Sequence, residues 1–284
     1  MITLADIERL IDEDVHGGDL TTEALGIGAI PGVMEFRARG RMVVAGIEVA
    51  ARMLGSARIE VLADDGDDVA AGTLLLIAEG PAALLHRGWK VAQTAMEILS
   101  GIATATRDLV EAAAAVHPGL RIATTRKTVP GARTLSQLAV RAGGGILHRQ
   151  GLGETILVFA EHRAFLPDLT IAEMAHRLRV HQPEKALGIE VSSREEAEAA
   201  LRAGFDVIQL EKWAPDAVAA LVQWTRDTGL HEAGHHRPLI TVAGGISPEN
   251  VAAYGEAGAG LIVTSWPYTA RPCDVAVSLG PKRD

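Results

Sequence analysis

The sequence predicts an α/β protein in two parts: a small, compact β-rich unit, then a parallel sheet wound into a closed or nearly closed barrel. Three observations carry that expectation. Short β-textured runs separated by turn dipeptides fill Gly32 to Gly80, residues 82–104 switch to helical spacing, and strand-like runs then alternate with amphipathic helices as far as Thr264. Such alternation places helices as crossovers between parallel strands. The chain has 284 residues, 48% of them hydrophobic, enough for roughly two domains of about 100–200 residues, each with a core.

The elements follow in order. In residues 3–12, Leu4, Ile7, Leu10 and Ile11 fall on one helical face. The turn His16-Gly17-Gly18-Asp19 then leads into Leu20-Thr21-Thr22. Within 32–80, Asp65-Gly66 and Ala71-Gly72 mark turns between strands, and a helix is expected near Glu48–Leu54. Leu84, Leu85, Val91, Ala95, Ile98, Leu99 and Ile102 give one long helix over 82–104, of a length to bridge two domains. Strands are expected at Leu120–Ala123, Thr155–Val158, Leu187–Val191, Val207–Leu210, Leu239–Val242 and Leu261–Thr264. Helices are expected over 107–116, 170–179, 194–203, 215–227 and 248–257. The domains expected are an N-terminal one with its bridging helix (1–104), a barrel (105–268) and a C-terminal tail (269–284) that packs back on the first. In barrels the chemistry collects where strands end, so each candidate is judged by whether it follows a strand.

Composition narrows the function. A formal net charge of −9 disfavours nucleic-acid binding, which needs a basic face. An anionic substrate must then be held by a local cluster of Arg, Lys and His. Cys273 is the single cysteine, so no intrachain disulfide forms, which fits a reducing compartment, and no His lies near it in sequence to activate a thiol. The N-terminal MITLADIERLIDED is acidic and amphipathic rather than a signal peptide, and no run of about 18 apolar residues exists. A cytoplasmic protein without a membrane partner is expected.

Thr124-Thr125-Arg126-Lys127-Thr128-Val129-Pro130-Gly131 directly follows a strand. Two adjacent cations among hydroxyls read either as a phosphate seat or as a solvated basic loop. Gly143-Gly144-Gly145 precedes His148-Arg149, so backbone able to approach a ligand closely lies beside positive charge; a structural role for the pair stays open. Glu190 and Glu211 end neighbouring strands and converge on one mouth. They read as holders of Mg²⁺ on a diphosphate, or as stabilisers of a developing cation, or singly as strand-end salt bridges. Ala243-Gly244-Gly245-Ile246 follows the next strand and opens a helix, a place where free N–H groups bind phosphate. His231-Glu232-Ala233-Gly234-His235 matches a zinc-protease pattern, but Gly229, Gly234 and Pro238 argue for a loop and against a catalytic zinc. The glycines at 255, 258 and 260 precede a strand, so they form no dinucleotide fingerprint.

Taken together, Glu13-Asp14, Gly18-Asp19-Leu20-Thr21-Thr22, Ser100-Gly101-Ile102-Ala103-Thr104, Thr125-Arg126-Lys127-Thr128, Gly143-Gly144-Gly145 with His148-Arg149, and Gly244-Gly245 make an ordered series over nearly the whole chain. The series resembles the quinolinate phosphoribosyltransferase (nicotinate-nucleotide pyrophosphorylase) family. The wording HRQGLGETILVFAEHRAFLPD and AALLHRGWKVAQ is similar to its ModD branch of pyrophosphorylases, named for molybdenum-transport gene clusters. The resemblance implies a small N-terminal α/β sandwich domain and an incomplete, TIM-like α/β barrel, working as a homodimer or dimer-based oligomer with sites at the subunit interface. It implies transfer of ribose 5-phosphate from PRPP (5-phosphoribosyl 1-diphosphate) to the quinolinate nitrogen, with Mg²⁺, loss of CO₂ and release of diphosphate. By motif, Arg126, His148 and Arg149 would line the acceptor pocket; Lys127, Glu190 and Glu211 would handle PRPP and its metal; Gly244 and Gly245 would hold the 5′-phosphate.

Three departures bear on the acceptor. The family's Glu-Arg before the long helix is Trp89-Lys90, its Lys-Asp-Asn-His is Phe159-Ala160-Glu161-His162, and its Leu-Asp-Asn is Leu210-Glu211-Lys212. Lys90 keeps a charge without the guanidinium fork that would reach the acceptor from a neighbouring subunit. Phe159 puts an apolar ring where the family's Lys meets the acceptor's carboxylates. The expectation is a phosphoribosyltransferase with a less anionic, more apolar acceptor; the alternative is a non-catalytic phosphate- or oxyanion-binding protein associated with molybdenum transport.

Overall fold

The computed structural model describes residues 2–230 and 238–282. By contact the chain divides into two units, one of Met1–Arg107, Thr128–Gly144 and Pro267–Asp284, the other of Asp108–Lys127 and Gly145–Trp266.

The chain opens with α1 (Leu4–Val15) and α2 (Leu20–Ala24), then β1 (Pro31–Ala38), β2 (Met42–Val43), α3 (Ile47–Met53), β3 (Arg58–Val61), β4 (Asp68–Val69), β5 (Leu74–Pro81) and α4 (Ala82–Val116). Thr3 starts α1 by accepting from the Asp6 N–H at 3.2 Å, while the Asp6 carboxylate accepts from the Thr3 N–H at 2.9 Å. Of the expected apolar face, Ile7 and Ile11 are buried and Leu4 stays exposed. β1 alternates as a half-buried strand should, sinking Met34, Phe36 and Ala38. It lies between β5 and the last strand of the chain in an antiparallel sheet whose fourth member is β3. Leu85, Ala92 and Met96 of α4, with Ile7 and Ile11 of α1, cover this sheet, which makes a helix-on-sheet sandwich.

α4 runs for 35 residues without the expected break near 105. Thr104 and Thr106, residues that often end a helix, instead donate to the carbonyls of Ser100 and Ile102 at 2.7 and 2.8 Å and stay inside it.

Beyond α4 come β6 (Arg121–Thr124), α5 (Arg133–Ala142), β7 (Ile146–Leu147), β8 (Ile156–Val158), α6 (Ala160–Arg163), α7 (Ile171–His181), β9 (Leu187–Val191), α8 (Arg194–Arg202), β10 (Val207–Glu211), α9 (Pro215–Asp227), β11 (Leu239–Ala243), α10 (Val251–Glu256), β12 (Leu261–Thr264) and β13 (Val275–Pro281). Seven parallel strands form one curled sheet in the order β7-β6-β12-β11-β10-β9-β8. β7 and β8 end the order and do not pair with each other, so the barrel is incomplete. Leu187, Ile189, Ile208, Leu210, Val242 and Ile262 are buried with the inner faces of α8 and α9, as a sheet covered by crossover helices requires.

Candidate active site

The expected residues of the second unit all sit at or just beyond the C-terminal ends of its strands. Arg126 and Lys127 follow β6, His148 and Arg149 follow β7, Phe159 follows β8, Glu190 lies in β9, Glu211 ends β10, and Gly244 and Gly245 follow β11. Parallel strands in register bring these ends together by construction.

The basic loop after β6 is tied to β12. The Thr125 N–H donates to the Thr264 carbonyl at 3.0 Å, the Thr125 and Ser265 hydroxyls bond at 2.6 Å, and the Lys127 N–H donates to the Thr125 hydroxyl at 3.2 Å. Lys127 is left exposed and Arg126 half-buried. Beside them the His148 N–H donates to the Thr124 carbonyl at 3.1 Å, which sets the start of the His148-Arg149 turn.

Arg149 is 8% exposed, and its guanidinium has no hydrogen bond or ion pair among the described residues. Its nearest defined contact is the Phe159 ring, 5.8 Å from the guanidinium carbon to the ring centre. Burial lowers its pKa, and the charge of Arg126 lowers it further. Burial, with Arg149 beside it, pushes the His148 pKa down to about 4, so the imidazole is neutral at pH 7. Phe159 is half-buried and stacks on His162 with ring centres 5.8 Å apart, and the Phe159 N–H donates to His162 Nδ1 at 3.0 Å.

Across the mouth, burial raises the Glu190 pKa. The hydrogen bond from Gln209 opposes that rise, the charges of Glu211 and Glu161 add to it, and Lys127 works against it. The charges of Glu161, Glu211 and Lys127 are therefore all felt at Glu190. Sequence reasoning quoted Glu161 without giving it a role and passed over Gln209 altogether. A polar residue inside a strand run reads as solvent-facing until the barrel register shows its side turned inward.

Gly244 and Gly245 take φ of +93° and +71°, and the N–H groups of Gly244, Gly245 and Ile246 have no acceptor among the described residues. Successive free N–H groups in a turn can form an anion-binding concavity. A helix was expected from 248; it begins at Val251 and has six residues. The Ser247 N–H is taken by Asn250 Oδ1 at 3.0 Å, which holds the intervening turn out of the helix. Any anion held here is held by the glycine loop rather than by a helix end.

Among the described residues, no group of three or more His, Cys, Asp or Glu side chains is arranged to hold a metal ion unaided. Glu190 and Glu211 suit a Mg²⁺ that takes most of its ligands from a diphosphate and water and one or two from protein. The His231–His235 motif lies outside the described residues. Lys90 belongs to the first unit, on α4, exposed, with Nζ 3.2 Å from Gln93 Oε1 and 4.3 Å from the centre of the Trp89 ring. No helix among the described residues is long and apolar enough to cross a membrane.

The family model described as Quinolinate phosphoribosyl transferase, C-terminal domain, matches residues 102–278, and that of the N-terminal domain matches residues 19–100. The chain belongs to the quinolinate phosphoribosyl transferase family. Within this family, the Escherichia coli O6:H1 protein named "Putative pyrophosphorylase ModD" is 39% identical over 283 residues, covering 99% of this chain and 98% of that one. A Rhodobacter capsulatus protein of the same name is 44% identical over 245 residues, covering 86% and 92%. The structure of the nicotinate-nucleotide pyrophosphorylase from Francisella tularensis shares the fold, with TM-score 0.88 at 22% identity over 99% of this chain and 98% of that one. Against the quinolinate phosphoribosyl transferase pattern read from the sequence, the mouth here sets an aromatic ring against the arginine that follows β7.

Proposed function

We propose that this protein is a PRPP-dependent phosphoribosyltransferase whose acceptor is a nitrogen heterocycle less anionic than quinolinate. One observation carries the acceptor side: Arg149 is a largely buried residue whose guanidinium has no carboxylate partner and lies against Phe159 rather than beside a lysine. A partly desolvated cation without a counter-charge gains from an anionic group that completes it, and here Arg149 offers one such contact. Phe159 supplies a flat apolar face for the ring.

In this reading the ring nitrogen of the acceptor bonds to ribose C1 as the C1–O bond breaks, and diphosphate leaves with the electron pair. Arg126 and Lys127 neutralise the departing diphosphate, the Gly244-Gly245 loop holds the 5′-phosphate, and Glu190 and Glu211 offset positive charge on the ribose. Mg²⁺ bound to the diphosphate supplies further charge neutralisation. The protein works in the cytoplasm as a homodimer or dimer-based oligomer, with Lys90 turned to a neighbour's acceptor.

The same buried arginine and free N–H groups suit a second reading, a protein that holds a molybdate-like oxyanion without turnover. Isothermal titration of Mg-PRPP into wild type and Lys127→Ala separates the two. The expected result is PRPP binding weakened at least about tenfold in the variant, since a charge-assisted contact contributes roughly 1.5–3 kcal/mol. Poor diphosphate release with quinolinate should accompany it. Molybdate binding with no PRPP binding would reverse the conclusion.

A further inference from the structure

Gln209 is 4% exposed at the middle of β10, on the same strand face as Glu211 and in register with Glu190 of β9 and Thr241 of β11. Its Nε2 donates to Glu190 Oε2 at 2.5 Å. Its Oε1 is buried and has no hydrogen-bond partner among the described residues. The amide's orientation matches an ionised Glu190: a carboxylate only accepts, so the NH₂ faces Glu190 and the carbonyl faces away. Buried carbonyls without a donor are few in folded proteins, and each needs a physical reason. Nothing in the phosphoribosyl transfer derived above uses this one.

Depth in the barrel indicates what part of a ligand reaches it. Gln209 lies two residues before Glu211, about 6–7 Å further from the mouth at the usual strand rise. The groups suited to phosphate, exposed Lys127 and the Gly244-Gly245 loop, lie beyond the strand ends. With the diphosphate and the 5′-phosphate in those loops, the ribose between them and the acceptor that bonds to its C1 are the parts that face the strand interior. Arg149 follows β7 in the same mouth and lies against Phe159 at the end of β8.

We infer that Gln209 determines acceptor specificity: its carbonyl oxygen accepts a hydrogen bond from an N–H on the acceptor. The acceptor class is then a nitrogen heterocycle with one anionic group, for Arg149, and one amide or amine substituent, for Gln209. A second carboxylate in that place would set acceptor against acceptor at Gln209 Oε1, within the field of Glu161 and Glu190. Sites that hydrogen-bond a donor reject analogues lacking it far more strongly than apolar pockets reject a change of size.

The inference rests on the phosphoribosyltransferase reading, and its test keeps the two apart. Mg-PRPP binding is measured by titration calorimetry. Diphosphate release is then measured with pyridine-2,3-dicarboxylate and with each of its two mono-amides, for wild type and Gln209→Leu. The expected wild type turns over one mono-amide with kcat/KM at least about tenfold above the dicarboxylate, the effect of one well-formed hydrogen bond to a buried group. In Gln209→Leu that preference disappears, and its loss exceeds any change in the KM for PRPP that follows from freeing Glu190. Equal use of the three acceptors by wild type, or preference for the dicarboxylate, overturns the inference and leaves the enzyme reading standing. So does a Gln209→Leu variant that keeps the preference, or one in which only the KM for PRPP rises, since the amide would then serve the sugar. If the leucine variant does not fold, the wild-type comparison decides alone. Absence of PRPP binding removes the enzyme reading and the inference with it.

Discussion

His148 is half-buried, and burial, with Arg149 next to it, holds its pKa at about 4 against an ordinary 6.5. The unfolded chain therefore binds a proton here that the folded chain refuses. Stability contributed by the neutral imidazole is complete above the unfolded value and is lost as pH falls from 6.5 toward 4, by on the order of 2–3 kcal/mol. The raised pKa of Glu190 acts in the opposite sense, so the informative quantity is a difference. Urea midpoints measured at pH 7 and pH 4.5 should fall more for wild type than for His148→Gln; equal falls would remove His148 as the cause. A second residue bears strain. Lys212 has φ +57°, the one non-glycine in that region among the described residues, and its N–H is spent on the Ala243 carbonyl at 2.8 Å. A Cβ at Gly244 would meet Lys212 Cγ at 2.8 Å, so the two loops constrain each other. Asn tolerates this backbone, and Lys212→Asn should raise stability by on the order of 1 kcal/mol in a urea titration. The exposed Lys212–Glu211 pair at 3.3 Å that it removes contributes little. Residues like these are where the sequence said least: charge and motif pointed to His148, but its neutrality depends first on burial, which a motif does not show, and Gln209 has no motif at all.

At the scale of elements, legibility tracked length and apolar content. β9 and β12 have the bounds their Leu/Ile/Val runs suggested, and α9 begins at Pro215 and ends at Asp227 as its spacing required. β7 has two residues and sits after a glycine run, so no periodicity could reveal it; only pairing with β6 makes it a strand. α5 shows a modest apolar stripe, Leu135, Leu138 and Ala139, next to a basic loop that drew the reading toward chemistry. The Ser100–Thr104 motif is the opposite case, noticed as a family signature and explained only by packing. The Ser100 and Thr104 hydroxyls accept from the N–H groups of Ala45 and Val43 at 3.1 and 2.9 Å, and a Cβ at Gly101 would lie 2.3 Å from the Arg271 carbonyl oxygen. Gly101 is therefore a glycine of close approach in mid-helix. Gly101→Ala should gain about 1 kcal/mol of helix propensity and lose about 1–3 kcal/mol to overpacking. A contact of 2.3 Å against backbone, which cannot swing aside, puts the balance on the side of loss. Guanidinium titration should show net destabilisation of up to about 2 kcal/mol, and a variant as stable as wild type would mean that the 271–272 backbone yields.

At the scale of the whole chain, the order in which residues appear differs from the order in which they pack. The first unit is assembled from Met1–Arg107, Thr128–Gly144 and Pro267–Asp284, so its sheet is complete only when the end of the chain has returned to the beginning. β13 pairs with β1 from Gly32↔Pro281 to Ala38↔Val275, buries Val275, and is held to α4 where Gln93 Nε2 donates to the Val275 carbonyl at 2.7 Å and the Cys273 N–H donates to the Glu97 carbonyl at 2.9 Å. Without it β1, which carries Met34 and Phe36, becomes a long edge strand with a row of unpaired backbone groups. Leu135 and Leu138 of α5 also pack against this core and come from the second of the three stretches. A fragment of residues 1–107 should therefore lack a cooperative urea transition and associate through β1, although it contains most of the unit's residues. Contacts this distant in sequence form late, after their loop-closure entropy has been met. Removing residues 273–284 from the full chain should have the same consequence for this unit while the parallel strands, all drawn from 121–264, keep their own core. Circular dichroism and urea titration of the two truncations would decide it, and a cooperatively folding 1–107 fragment would mean that α4 on three antiparallel strands is already enough.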